Sequence, residues 1–199
     1  MYRFFYDEPT NGDICFLVIS PAPYPDRVEE KGDVVALWKG DSLIGVNFLH
    51  ASRYLPLKGN GMIPLPNEEF LRAANEKLSE ASLPAFPAPE NSGYRVGKVL
   101  SLEEHPLDEK AKIVHLDFGD GLTVETVSRY PNLAVGFQVV AALPGCIRFD
   151  GTLFEGQSSR GIGNGADLCS AYDLRLGDER SLAFDASAYP VGADFFASH

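Results

Sequence analysis

The chain has 199 residues, enough for one large or two small domains, and its 45% hydrophobic and 23% charged residues exclude wholesale disorder. Seventeen basic against 28 acidic side chains give a net charge of −11 and a pI near 4.7, which excludes a broad basic nucleic-acid surface. No apolar run approaches the ~18 residues of a transmembrane helix, and the acidic start at Asp7 and Glu8 lacks the regions of a signal peptide. Three cysteines, Cys15, Cys146 and Cys169, form no C-x-x-C pair, so the sequence predicts a reduced, cytoplasmic protein without disulfides.

In chain order, runs 2–6 and 14–20 are aromatic and β-branched and predict strands. Runs 34–38 and 43–49 flank Lys39-Gly40-Asp41-Ser42, a hairpin signal because glycine accepts the positive φ of a tight turn. A helix is predicted over 67–81. Asn67 is its cap, Glu68 and Glu69 sit at its positive end, and Phe70, Leu71, Ala74 and Leu78 form one apolar stripe for core packing. Residues 82–92, SLPAFPAPENS, hold Pro84, Pro87 and Pro89 and predict a stiff connector. Beyond it, 94–102, 112–118, 122–127 and 137–143 predict strands, with Gly119-Asp120-Gly121 turning the second into the third. Gly145, Gly151 and Gly156 punctuate the stretch after these strands, so the second half predicts a small closed barrel or sandwich. The expected organisation is a small α+β domain over 1–82, a Pro-rich linker over 83–92 and an all-β domain over 93–199.

The series YRVGKVLSLEEHP, LDEKAKIVHLDFG, TVSRYPNLAVGFQVV and SSRGIGNGADLCSAYDLRLGD runs in that order from residue 94. It resembles the tRNA-binding OB domain of endothelial-monocyte-activating-polypeptide-type proteins, which is also appended to several aminoacyl-tRNA synthetases. The preceding KGDVVALWKGDSLIGVNFLHASRYL, its glycine turn and the helix after it are similar to the N-terminal domain of bacterial YtpR-type tRNA-binding proteins. The resemblance covers about residues 1–196 and implies an OB-fold barrel at the C-terminal end. It also implies tRNA as partner, a second copy of the chain or a translation protein as further partners, no cofactor and no catalysis. The family's H-P-x-A-D-K-L stands here as His105-Pro106-Leu107-Asp108-Glu109-Lys110-Ala111. Its S-x-G-M segment has become Asn164-Gly165-Ala166-Asp167, which puts a carboxylate where the family has methionine.

An OB barrel holds single-stranded or irregular RNA by combining cations for the backbone with aromatic faces for bases. The candidate RNA-binding residues are Lys98, Lys110, Lys112, Arg129, Tyr130, Asn132, Arg160 and the retained Ser170. Ser128-Arg129-Tyr130-Pro131-Asn132 gathers a guanidinium, a phenol and an amide in one loop, and its plain alternative is a solvated hairpin. His105, before a proline, anchors a turn or touches RNA, while His115 on its strand is an exposed-face or a core histidine.

Three catalytic readings fail. Cys169 in an apolar stretch is packing, and Gly161-Ile162-Gly163-Asn164-Gly165 lacks the Lys-Ser/Thr of a phosphate loop. The pairs Glu103-Glu104 and Asp108-Glu109 are solvated loop charge, and no ligand spacing supports a metal. The competing functions are a tRNA-binding protein, a protein-interaction or dimerisation module on an OB fold that has lost its RNA face, and an oligosaccharide or small-ligand binder. The acidic balance and Asp167 favour the second; Lys110, Asn132 and Arg160 favour the first.

Overall fold

The computed structural model describes residues 2–20, 24–57, 61–157 and 162–197, in two compact units, Met1–Glu90 and Asn91–His199. Both are mostly β. The first holds strands β1 (Arg3–Tyr6), β2 (Ile14–Val18), β3 (Arg27–Lys31), β4 (Val34–Lys39), β5 (Ser42–Leu49) and β6 (Gly61–Ile63), with helices α1 (Glu8–Asn11) and α2 (Glu68–Glu80). The strands form one antiparallel sheet in the order β3-β4-β5-β2-β1-β6. Side chains alternate between the faces of a strand, and the register lines the buried ones into rows across the sheet. One row runs Phe4, Leu17, Val46, Ala36, and the next runs Tyr6, Cys15, Phe48, Val34.

Helix α2 buries Phe70, Leu71, Ala74 and Leu78 in the same core, with the Phe4 and Phe70 rings 4.9 Å apart, edge to face. The Asn67 side chain accepts from Phe70 N at 2.8 Å and caps the first turn. The far end closes with Ser82 at φ 58, Ser82 N donating to Ser79 O and Leu83 N donating to Leu78 O. That arrangement satisfies two orphan carbonyls and carries Leu83 into the core.

The proline-rich stretch, expected as a stiff connector, begins as a strap. Asn75 donates to Phe86 O at 2.9 Å and accepts from Phe86 N at 2.8 Å, while the Tyr2 hydroxyl donates to Pro87 O. Extended proline-rich backbone has no internal partners for its polar groups. One amide side chain supplies both for Phe86. Strand β3, RVEEK, carries no apolar alternation and lies outside the strands the sequence predicts. It is a mostly exposed edge strand in which Arg27 lies 4.7 Å over the Trp38 ring and pairs with Glu29.

The second unit contains β7 (Tyr94–Glu104), β8 (Lys112–Asp117), β9 (Thr123–Ser128), β10 (Gln138–Ala142), β11 (Cys146–Ile147), β12 (Leu153–Phe154) and β13 (Asp167–Leu168). Five of them form a sheet ordered β13-β10-β7-β8-β9, and β11 and β12 make a small hairpin of their own. β7 spans eleven residues: its first half pairs with β10 and its second with β8, and the register shifts between Val99 and Ser101. An irregularity of that kind bends a strand, so the sheet curls. Gly97 lies inside the curl, where a Cβ would stand 2.7 Å from Phe118 Cε1. The curl encloses Val99, Val114, Leu116, Phe118, Val139 and Ala141.

Segment 163–168 contacts one edge of this sheet, β9, and forms the other as β13. Gly165 N donates to Glu125 O on β9 at 2.9 Å, and two residues later Asp167 and Leu168 pair with Ala142 and Ala141 on β10. The chain's last turns run beside β7, with Val96 N donating to Ala193 O and Phe195 N to Tyr94 O. Ser92 N and Oγ both donate to the Asp194 carboxylate, tying the start of the unit to its end.

Candidate nucleic-acid interface

Two depressions of the second unit meet at β13. The larger, about 450 Å³, is lined by Tyr94, Tyr130, Phe149, Tyr172, Arg148 and Asp167 among others. The smaller, about 190 Å³, is lined by Val127, Ser128, Arg129, Tyr130, Asp167 and Leu168. Tyr130, Asp167 and Leu168 belong to both, so Asp167 stands where the cations and rings converge.

Each arginine nearest this centre is held by a carboxylate. Arg129 sits just after β9 with its side chain 73% exposed, and its Nε and a terminal nitrogen donate to Asp108 Oδ2 at 2.9 and 2.6 Å. That guanidinium, with the backbone N–H of Lys110 on the other oxygen, holds the Asp108 carboxyl below its usual range. Arg148 comes from the β11–β12 hairpin. Its Nε lies 2.7 Å from Asp167 Oδ2 and its guanidinium 5.0 Å from the Phe154 ring centre. Burial pushes the Asp167 carboxyl up from its usual value, and Arg148 only partly offsets that. Tyr172 and Arg175 also line the larger depression, and Arg180 and Arg175 lie 3.4 and 5.2 Å from the centre of the Tyr172 ring.

Of the residues the sequence nominates, Arg129 and Tyr130 line the smaller depression. The Tyr130 hydroxyl donates to Asp173 Oδ2 at 3.1 Å, and burial raises its pKa. Asn132 spends its amide on the backbone: Nδ2 donates to Ala183 O and Oδ1 accepts from Ala183 N, both at 2.9 Å. Ser170 is buried, and its N and Oγ both donate to Asp173 Oδ2. Lys98 and Lys110 are exposed outside both depressions, and Lys112 pairs with Glu104. Arg160 lies outside the described residues.

His105 anchors its turn by accepting from Leu107 N, and His115 lies on β8 between Glu103 and Glu125 at 3.3 and 3.8 Å. All three cysteines are buried; burial raises the Cys15 thiol to about 12 and the Cys169 thiol well above its usual value, so neither is a thiolate at neutral pH. Among the described residues no cluster of three His, Cys, Asp or Glu could hold a metal, and no helix is long and apolar enough to cross a membrane.

The sequence pattern does not single out Arg148, Phe149, Tyr172 or Arg175. The short glycine-bounded segment 146–151 holds an arginine next to a phenylalanine, the one local signal available.

Fold and site together define a two-unit, mostly β protein whose second unit gathers arginines and tyrosines around the edge of a curled sheet. A family model described as "Domain of unknown function (DUF4479)" matches residues 22–85. "Putative tRNA-binding protein YtpR" of Bacillus subtilis (strain 168) is 30% identical over 201 residues, covering 96% of this chain and 98% of that protein. The chain belongs to the YtpR family. Phenylalanine--tRNA ligase beta subunits match over part of their length. That of Novosphingobium aromaticivorans is 32% identical over 110 residues, 53% of this chain but 14% of the subunit. That of Burkholderia lata is 35% identical over 126 residues, covering 60% and 15%.

Proposed function

We propose that this chain is a non-catalytic tRNA-binding protein that holds RNA on its second unit. The observation that carries this reading is the end-to-end match to a relative named for tRNA binding. The partial matches to tRNA ligase subunits support it from a second direction. The curled sheet, with segment 163–168 joining its β9 edge to its β13 edge, reads as an OB-fold barrel, a scaffold suited to irregular RNA. Arg129 and Tyr130 are the contacts we assign first, a phosphate-seeking guanidinium beside a half-buried ring. Lys98, Lys110 and Lys112 serve as outlying phosphate contacts. Asn132 and Ser170 hold the loops that present the others.

An acidic protein in which Arg129 and Arg148 are already paired with carboxylates neutralises few phosphates. Binding is accordingly weak and its salt dependence shallow, a slope of about −2 to −3 at roughly −0.7 per contact. The same reading makes the first unit a separate α+β domain and places the protein in the cytoplasm beside the translation machinery. Filter binding of bulk tRNA to the full chain at two salt concentrations tests it. Saturable binding with that shallow slope is expected, and no saturable binding even at low salt refutes it.

A further inference from the structure

The larger depression has a different chemistry from a phosphate site. At about 450 Å³ it has the volume of a small-ligand pocket. Asp150, Asp167 and Asp173 line it against Arg148 and Arg175, so its carboxylates outnumber its guanidinium groups. A phosphate group among those carboxylates is repelled, so a nucleotide enters base first with its phosphate left in solvent. A neutral ligand that donates hydrogen bonds is favoured.

The three carboxylates are not equally available. Asp173 Oδ2 already accepts from Ser170 N, Ser170 Oγ and the Tyr130 hydroxyl. Asp150 Oδ1 accepts from Thr152 N and Oγ1. Asp167 alone engages a single group, pairing through one oxygen with Arg148, and among the described residues its other oxygen has no partner. A carboxylate offers about four acceptor positions, so most of Asp167's capacity is unspent. Around it stand rings: Tyr94 is buried, and Phe149 and Tyr172 are partly exposed.

We infer that this pocket takes an unstacked guanine base, stacked on the ring wall and read by the Asp167 carboxylate. The choice among bases follows from their edges. Guanine presents N1–H and the N2 amine side by side, two donors that match two carboxylate oxygens. Adenine and cytosine put a ring acceptor next to their amine, and uracil's one donor lies between two carbonyls, so each sets a lone pair against Asp167. This assignment deepens the tRNA reading, which motivates a nucleobase as ligand. It accounts for a carboxylate on an RNA-binding face: the charge that weakens backbone contacts selects an exposed guanosine.

The test is calorimetric titration of the full chain with GMP, IMP and AMP, which share ribose and phosphate. IMP lacks only the N2 amine. A hydrogen bond to a charged group supports roughly a tenfold or greater preference for GMP over IMP and over AMP. Asp167→Asn is expected to erase that preference while the variant remains folded by its thermal transition. Phe149→Ala is expected to weaken all three nucleotides alike, by roughly tenfold, through lost stacking. Equal binding of the three nucleotides, no binding of GMP at millimolar concentration, or a GMP preference that survives in Asp167→Asn overturns the inference. Bulk tRNA, titrated in parallel, separates the two conclusions. GMP selectivity without tRNA binding supports the pocket and removes the tRNA reading, whereas tRNA binding without GMP selectivity does the reverse.

Discussion

Asp108→Asn is expected to strengthen binding of bulk tRNA, because it releases Arg129 from an internal competitor. Both hydrogen bonds of the pair go to Asp108 Oδ2, while Oδ1 accepts from Lys110 N and shapes the turn. Asparagine keeps an Oδ1 acceptor, so the turn survives and the charge does not. With the Arg129 side chain 73% exposed, the pair sits at the weak end of the ion-pair range, and freeing it tightens binding only about two- to fivefold. Arg129→Ala removes a phosphate contact and lowers the salt slope by about 0.7. Its defect is therefore about 2.5-fold larger at 50 mM than at 200 mM salt, the fourfold ratio raised to that slope. In the Asp108→Asn background the same alanine costs more, by the factor that Asp108→Asn alone gains, and a double-mutant cycle isolates that coupling. The assay is filter binding of bulk tRNA at both salts for wild type, both single variants and the double variant. If neither single variant changes affinity or slope, Arg129 does not face RNA and the reasoning fails.

Asn132→Ala removes both partners of the Ala183 backbone and is expected to destabilise the second unit by about 1–3 kcal/mol, read by thermal denaturation, and an unchanged transition refutes the clamp. Gly97→Ala drives a methyl toward the Phe118 ring and is expected to cost about 1–3 kcal/mol in denaturant unfolding. Asp167 is more easily protonated folded than unfolded, so its contribution to stability is present at low pH and lost as pH rises through its raised folded value, above 3.8. Asp167→Asn is therefore expected to melt higher than wild type at pH 7, with the advantage shrinking as pH falls toward 3.8; a constant difference across that range counts against burial as the cause. Limited proteolysis is expected to cut within residues 88–91, past the strap that Asn75 and Tyr2 hold, and cutting at 83–87 would show that the strap is loose.

Local signals determined the elements whose neighbours in sequence already dictate their conformation. The α2 stripe and its Asn67 cap, the Gly40 hairpin and the Gly119-Asp120-Gly121 turn follow from periodicity and positive-φ demand within a few residues. The order of motifs from residue 94 onward carries the family likeness without any tertiary contact. Tertiary structure alone decided the rest. β3 has one apolar residue, the exposed Val28, among four charged ones and becomes a strand because β4 offers it an edge, which no propensity in RVEEK announces. Asn132 reads as an RNA contact in the sequence, yet Ala183, 51 residues away, occupies its amide. The pairing of Arg148 with Asp167 joins a hairpin to an edge strand across 19 positions of sequence, and it turns an apparent repulsive charge into half of an ion pair. Contacts of that kind depend on which strands the bent β7 brings together, and its register shift between Val99 and Ser101 shows only in the pairing with β8, not in any one segment.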